Sequence, residues 1–171
     1  MNIKILRLLQ TFIIFCLAFY ALLIFIGNLT DYDSNYQFVK HVLAMDTVFP
    51  DNTLTWRAIT NDTLVTIAYW GIILTEGLIA LFGMLSAVFM LINVSRSTNS
   101  FARAKILGFI SFALAIALWF IGFLCFGAEW FSMWQSSQWN GKQTAMDIVQ
   151  IVGVFLVIYM LPESIFKLPK K

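Results

Sequence analysis

The sequence predicts an all-α, polytopic membrane protein: a four-transmembrane-helix bundle with a short amphipathic helix in its first extracytoplasmic loop. Three observations carry this. Hydrophobic residues make up 60% of the 171 and charged residues only 12%, where a soluble domain holds about 25% charged. The charge is missing from four long blocks and concentrated between them, as it must be where water cannot hydrate an ion. The basic residues are distributed unequally about those blocks. The chain reads as a single membrane domain over 1–171.

The first block, 8–29, follows Lys4 and Arg7. Its apolar run exceeds a signal-peptide core and no small-x-small cleavage site follows it, so it reads as an uncleaved span. The second, 64–92, is longer than the about 20 residues that cross the hydrocarbon, and must tilt or project. The third covers 106–127. The fourth, 145–161, is shorter and carries Asp147 near its start.

Orientation follows from the 11 Lys and Arg residues. Lys4, Arg7, Arg96, Arg103, Lys105, Lys167, Lys170 and Lys171 fall on one side of the blocks. Only Lys40, Arg57 and Lys142 fall on the other. The positive-inside rule then puts both termini and the 96–105 loop in the cytoplasm, and the loops at 30–63 and 128–144 outside. Trp56, Tyr69, Trp70, Trp130, Trp134 and Trp139 gather at or near the outer ends, as an interfacial belt does.

The first outer loop is long for a bundle connection. Phe38, Val42, Met45 and Phe49 recur at helical spacing, Ser34 and Gln37 resemble a capping box, and Pro50 marks an end, so 35–48 reads as a short amphipathic helix. Asp51-Asn52 starts a turn, and Thr60 or Asn61 can cap span two. The second outer loop is rich in Trp and neutral polar residues, with a turn signal at Asn140-Gly141. That composition suits a folded lid, since disordered linkers are poor in aromatics.

Glu76 is the chemically conspicuous residue. It is the one charge between Leu64 and Ile92, about 10 Å below Tyr69 and Trp70 at 1.5 Å per residue. A charge at membrane depth costs about 2.5–3.5 kcal/mol on insertion scales, so it faces the bundle or a wet cavity. Ala80, Gly83 and Ala87 lie on the same face, and Gly108, Ser111, Ala115 and Gly122 give span three a matching stripe for close approach. Three roles are open to Glu76: a structural hydrogen-bonding residue, a partner for Arg57 or His41 folded in from the loop, or the floor of a ligand, ion or proton site. Glu129 and Asp147 could join it in an acidic vestibule.

Other chemistry is thinly represented. A net charge of +2 without a basic run speaks against nucleic acid. His41, the single histidine, sits near Asp46 without a zinc-ligand spacing. Cys16 and Cys125 differ in depth by about 15 Å, too far for a disulfide. No phosphate loop, nucleophile elbow or Cys pair is present, so a metal site is not expected and enzymatic activity has little support. A cofactor is not indicated.

The stretches His41-Val42-Leu43-Ala44-Met45-Asp46, Trp56-Arg57-Ala58-Ile59, Gly127-Ala128-Glu129-Trp130-Phe131, Met133-Trp134-Gln135-Ser136 and Trp139-Asn140-Gly141, with Glu76, resemble a bacterial family of small integral membrane proteins, a domain of unknown function. The resemblance covers essentially the whole chain. It implies four helices in a bacterial inner membrane and implies no activity. Its motifs cluster in the two outer loops and the outer half of span two, as one outward site or a docking surface would. Two functions follow. The preferred one is an accessory or interaction subunit of a larger inner-membrane complex or a homo-oligomer, resting on small size, the lack of catalytic motifs and an aromatic-rich outer surface. The other is an outward-open binding or transport module for a small ligand, lipid or quinone. Its candidate residues are Glu76, Arg57, His41, Asp46, Trp56, Glu129, Trp130 and Trp134.

Overall fold

A computed structural model describes residues 3–166; Lys167, Lys170 and Lys171, three of the basic residues used for orientation, lie outside it. Every regular element among the described residues is helical. Helix α1 is Ile3–Thr30, α2 Tyr32–Ala44, α3 Asp62–Ile92, α4 Thr98–Ala104, α5 Ile106–Ile116 and α6 Lys142–Met160. Between α5 and the second long loop, Ala117–Trp130 continues the third span as a π-helix, closing with Phe131 N–H donating to Phe126 O at 2.9 Å. Four segments are long and apolar enough to cross a membrane: Ile3–Thr30, Asp62–Ile92, Thr98–Trp130 and Lys142–Met160. Each is longer than its hydropathic block: the first and third extend beyond it at both ends, the second and fourth only at the N-terminal end.

The spans are apolar on every face, as helices bathed in lipid are. Their lipid side shows in exposed Ile5, Phe12, Leu74, Leu85, Phe120 and Val154. Their inner side carries small residues beside larger apolar ones, Ala18, Ala21, Ala80 and Ala115 with Ile79 and Phe112. A Cβ built on Gly83 would stand 2.7 Å from Ala18 Cβ and 3.0 Å from Ser111 Oγ. The small-residue stripes of spans two and three therefore do meet, joined also by Ser111 Oγ–H donating to Ile79 O at 2.8 Å. Gly122 departs from that expectation. It lies in the π-helix with no neighbouring span close to it.

At the end of the bundle where α1 begins and α6 stops, here the terminal end, the helices are tied by buried polar groups. Arg7 Nε meets Glu163 Oε1 at 2.7 Å, and its Nη1 donates to Val94 O and Arg96 O at 2.9 and 2.6 Å. Gln10 Nε2 donates to the carbonyls of Ile158, Tyr159 and Leu161, and Lys105 Nζ to that of Tyr159. A helix C-terminus leaves such carbonyls short of partners; here side chains of α1 and of Lys105, just before α5, supply them, and Ile158 O also accepts from Leu161 N. Tyr159 Oη lies 3.2 Å from Ser86 Oγ and donates to Lys105 O at 3.0 Å, and Gly108 has no side chain to obstruct that hydroxyl. Arg7 and Lys105, read from the sequence as flanking charges, are thus 5% and 8% exposed.

At the opposite, lid end, α2 begins at Tyr32, earlier than expected, and stops at Ala44. Met45 caps it in the left-handed region at φ 52. Ser34 donates to Asp31 Oδ1 at 2.8 Å instead of forming a capping box with Gln37. Asn61 does cap α3, accepting from Thr63 N and Leu64 N. The two long loops are stitched into one lid: Gln135 Oε1 accepts from Phe49 N and Asn52 Nδ2, and Thr47 Oγ1 donates to Ser136 Oγ, while Ile59 N donates to Leu43 O within the first loop. Val42, Met45, Ala128, Phe131 and Met133 form its own small core.

Candidate functional site

Glu76 stands near the middle of α3, 14 residues after Asp62 and 16 before Ile92 (76 − 62 and 92 − 76). It is 2% exposed. Its Oε2 accepts a hydrogen bond from Asn28 Nδ2 at 2.7 Å, and Tyr69 Oη donates to the Asn28 carbonyl at 2.9 Å. α1 and α3 run antiparallel, so the last turn of α1 delivers Asn28 to both residues. Tyr69, expected in the interfacial belt, is instead 1% exposed, packed edge-on against Tyr32 at 4.9 Å and Tyr36 at 5.9 Å. α2 folds back over α3 to bring those rings there, and Lys40 pairs with Asp62 at 2.9 Å on the same seam. That hydrogen bond holds the Lys40 ammonium charged above the ordinary lysine range.

The second carboxylate oxygen of Glu76 has no protein donor. Among the described residues the only fully enclosed polar side-chain atom without a partner is Arg57 Nε, so Glu76 Oε1 opens on free space. That space is a cavity of about 400 Å³ lined by α1, α2, α3, α6 and the π-helix. Buried Glu76, Tyr69 and Trp119 form its floor; exposed Tyr20, Asn140 and Thr144 form its mouth. Trp119 and Phe123, four residues apart on the π-helix, both face it. Gly141 lets the α6 N-terminus lie against Phe38, whose Cζ would be 3.0 Å from a Cβ there.

The other sequence candidates do not reach this cavity. Arg57 does not pair with Glu76: its guanidinium lies 4.2 Å from the Trp130 ring centre and 5.3 Å from that of Trp56, and Nη1 donates to Trp130 O at 3.2 Å. His41 Nδ1 meets Asp46 Oδ2 at 2.7 Å while its ring stacks on Trp139 at 4.7 Å. Trp134 packs edge-on against Phe49. Glu129 pairs with Lys142 at 3.3 Å and lines no cavity with Glu76, whereas Asp147 lies in a groove that adjoins the Glu76 cavity at Tyr20, Thr144 and Ile148. The physical reason is shared. Lid residues find partners within the lid, and Glu76, about four turns down α3, finds the amide of α1. Asn28, Tyr69, Trp119, Asn140 and Thr144 were not among the sequence candidates. An asparagine inside an apolar block was the one available signal, and it reads equally well as a span boundary.

A four-helix integral membrane protein with one buried carboxylate opening on a cavity between the helices is the class that fold and site define. The chain matches, over residues 6–162, the model of a family described as "Predicted small integral membrane protein (DUF2165)", and it belongs to that family. No curated protein and no solved structure matches it.

Proposed function

We propose that the protein is a binding module that admits a small ligand to the Glu76 cavity from the lid side of a bacterial inner membrane, with both termini cytoplasmic. The observation that carries this reading is the unpartnered Glu76 Oε1 on a half-open cavity of about 400 Å³ between the helices. Cavities of about 300–1,000 Å³ with few, well-placed polar groups are the usual form of small-ligand sites. An ionisable group kept at membrane depth needs a compensating role. Asn28 compensates one oxygen only. His41, Asp46, Trp56, Arg57, Trp130 and Trp134 then serve the site at a distance by holding the lid together.

Native mass spectrometry of protein released from neutral detergent micelles tests it. Wild type should retain a small-molecule adduct. Glu76→Gln should lose it by removing the charge, and Ala145→Phe by filling the cavity from a wall residue 2% exposed. An adduct-free wild type, or an adduct kept by both variants, defeats the reading. The alternative of an accessory subunit is favoured by the lid's exposed Trp56, Phe49, Trp130 and Trp134. It requires a heteromeric complex at native expression that Trp56→Ser and Trp134→Ser dissociate.

A further inference from the structure

We propose that the cavity takes an organic cation, an alkylammonium head carrying a short apolar chain, which enters sideways from the lipid between α1 and α6. This rests on the binding reading above and names its ligand class.

The head group follows from charge. The residues lining the cavity include Glu76 and no Lys, Arg or His. Its one hydrogen-bond donor, Asn28, is neutral. A buried carboxylate is stable when a cation balances it, and no protein cation is placed to do so. The walls are unusually aromatic: Tyr20, Phe38, Tyr69, Trp119 and Phe123 surround the carboxylate, with the Tyr20 and Trp119 rings 6.2 Å apart. Aromatic faces around a desolvated site attract ammonium groups through the ring quadrupole. An acid floor with aromatic walls and no base is the complement of an alkylammonium.

The chain follows from what adjoins. A second cavity, about 210 Å³, shares Phe38, Val39, Ile72 and Phe123 with the first and is walled by apolar side chains and glycine alone. It adjoins the Glu76 cavity on the side of the lid core, across Phe38, Val39, Ile72 and Phe123, and the apolar chain would lie there. The route follows from the gap between the first and last helices. A groove of about 420 Å³ runs between α1 and α6, shares Tyr20, Thr144 and Ile148 with the Glu76 cavity, and faces the lipid at exposed Ile151. It carries Asp147, whose Oδ1 accepts from Gln143 at 2.8 Å. A second carboxylate there draws a cation toward the mouth before Glu76 receives it.

Isothermal titration of the full chain in neutral maltoside micelles, with hexyltrimethylammonium and with uncharged 1-hexanol, tests this. Wild type should bind the cation at least tenfold tighter than the alcohol. Glu76→Gln keeps an acceptor for Asn28 and should weaken the cation at least tenfold while leaving 1-hexanol unchanged. Tyr20→Leu, at the exposed mouth, should weaken the cation severalfold whether or not Glu76→Gln folds. Equal affinity for the two probes, or cation affinity unmoved by both variants, overturns the cation assignment. The binding reading survives that result if Ala145→Phe abolishes both probes. It falls too if neither probe binds wild type or if Ala145→Phe changes neither.

Discussion

Replacing Gly83 by Ala puts a methyl group where the structure has no room for it. The new Cβ would sit 2.7 Å from Ala18 Cβ, 3.0 Å from Ser111 Oγ and 3.4 Å from Ala18 Cα. Optimal carbon–carbon separation is about 3.5–4.0 Å, so α1 and α3 must part by roughly 1 Å at their crossing. The atoms met are a backbone carbon, its rigid methyl, and a hydroxyl already donating to Ile79 O, none of which can swing away. Overpacking of this kind costs about 1–3 kcal/mol. Alanine recovers about 1 kcal/mol of helix propensity over glycine. A net loss of about 1 kcal/mol is therefore expected, with Gly83→Leu much worse. Ala18→Gly alone costs about 1 kcal/mol for propensity and lost packing. The double variant exchanges the methyl from one helix to the other, so the two losses should not add. The expected coupling is at least about 1 kcal/mol, large for a contact pair. Unfolding of the four proteins by sodium dodecyl sulfate in mixed micelles, followed by tryptophan fluorescence, measures it. Strict additivity, or a stabilising Gly83→Ala, would refute the close crossing of α1 and α3.

Other outcomes follow from the same structure. Arg7→Met takes the guanidinium away from Glu163 Oε1 and from the Val94 and Arg96 carbonyls at a site 5% exposed, while Thr98 still donates to Glu163 Oε2. It should cost about 3 kcal/mol in the same assay, as breaking a buried pair does. Asn28→Leu leaves Glu76 without its donor and should cost about 1–3 kcal/mol. Adding Glu76→Leu should return part of that loss, and a further loss on adding it would show that the hydrogen bond is not what Asn28 supplies. The Lys40 pKa is raised from 10.5, chiefly by its hydrogen bond to Asp62. A raised lysine stabilises the fold fully below that ordinary value and loses the contribution as pH climbs through the folded one. Titration of ¹³C-methylated Lys40 by NMR should end at higher pH in wild type than in Asp62→Asn.

The four spans were legible because exclusion of charge from hydrocarbon is a one-dimensional signal. Glu76 was legible for the same reason, as the one violation inside span two. What surrounds it was not. Asn28 and Tyr69 become its neighbours only through the antiparallel packing of α1 on α3, and Arg57 and His41 looked available because a sequence cannot reveal that Trp130 and Trp139 occupy them first. Arg7, Gln10 and Lys105 carry the opposite lesson. Beside an apolar block a basic residue reads as a topological marker, and its burial depends on groups as distant as Glu163, 156 residues away. The π-helical stretch Ala117–Trp130 has no compositional mark, since its ladder differs from an α-helix only in which carbonyl each N–H selects.

Gln10 and Lys105, bonded to each other, together hold the end of α6 through the Tyr159 carbonyl, while nearer the lid the same helix stands off from α1 across the Tyr20–Thr144 gap. The arrangement is that of tweezers with a fixed fulcrum. A 19-residue helix is about 28 Å long, so a swing of about 5° about that fulcrum moves its lid-side end roughly 2.5 Å. Movement of that size would widen the gap between Tyr20 and Thr144 at the expense of the ties that hold this end to the lid, the Lys142–Glu129 pair and the packing of Gly141 on Phe38.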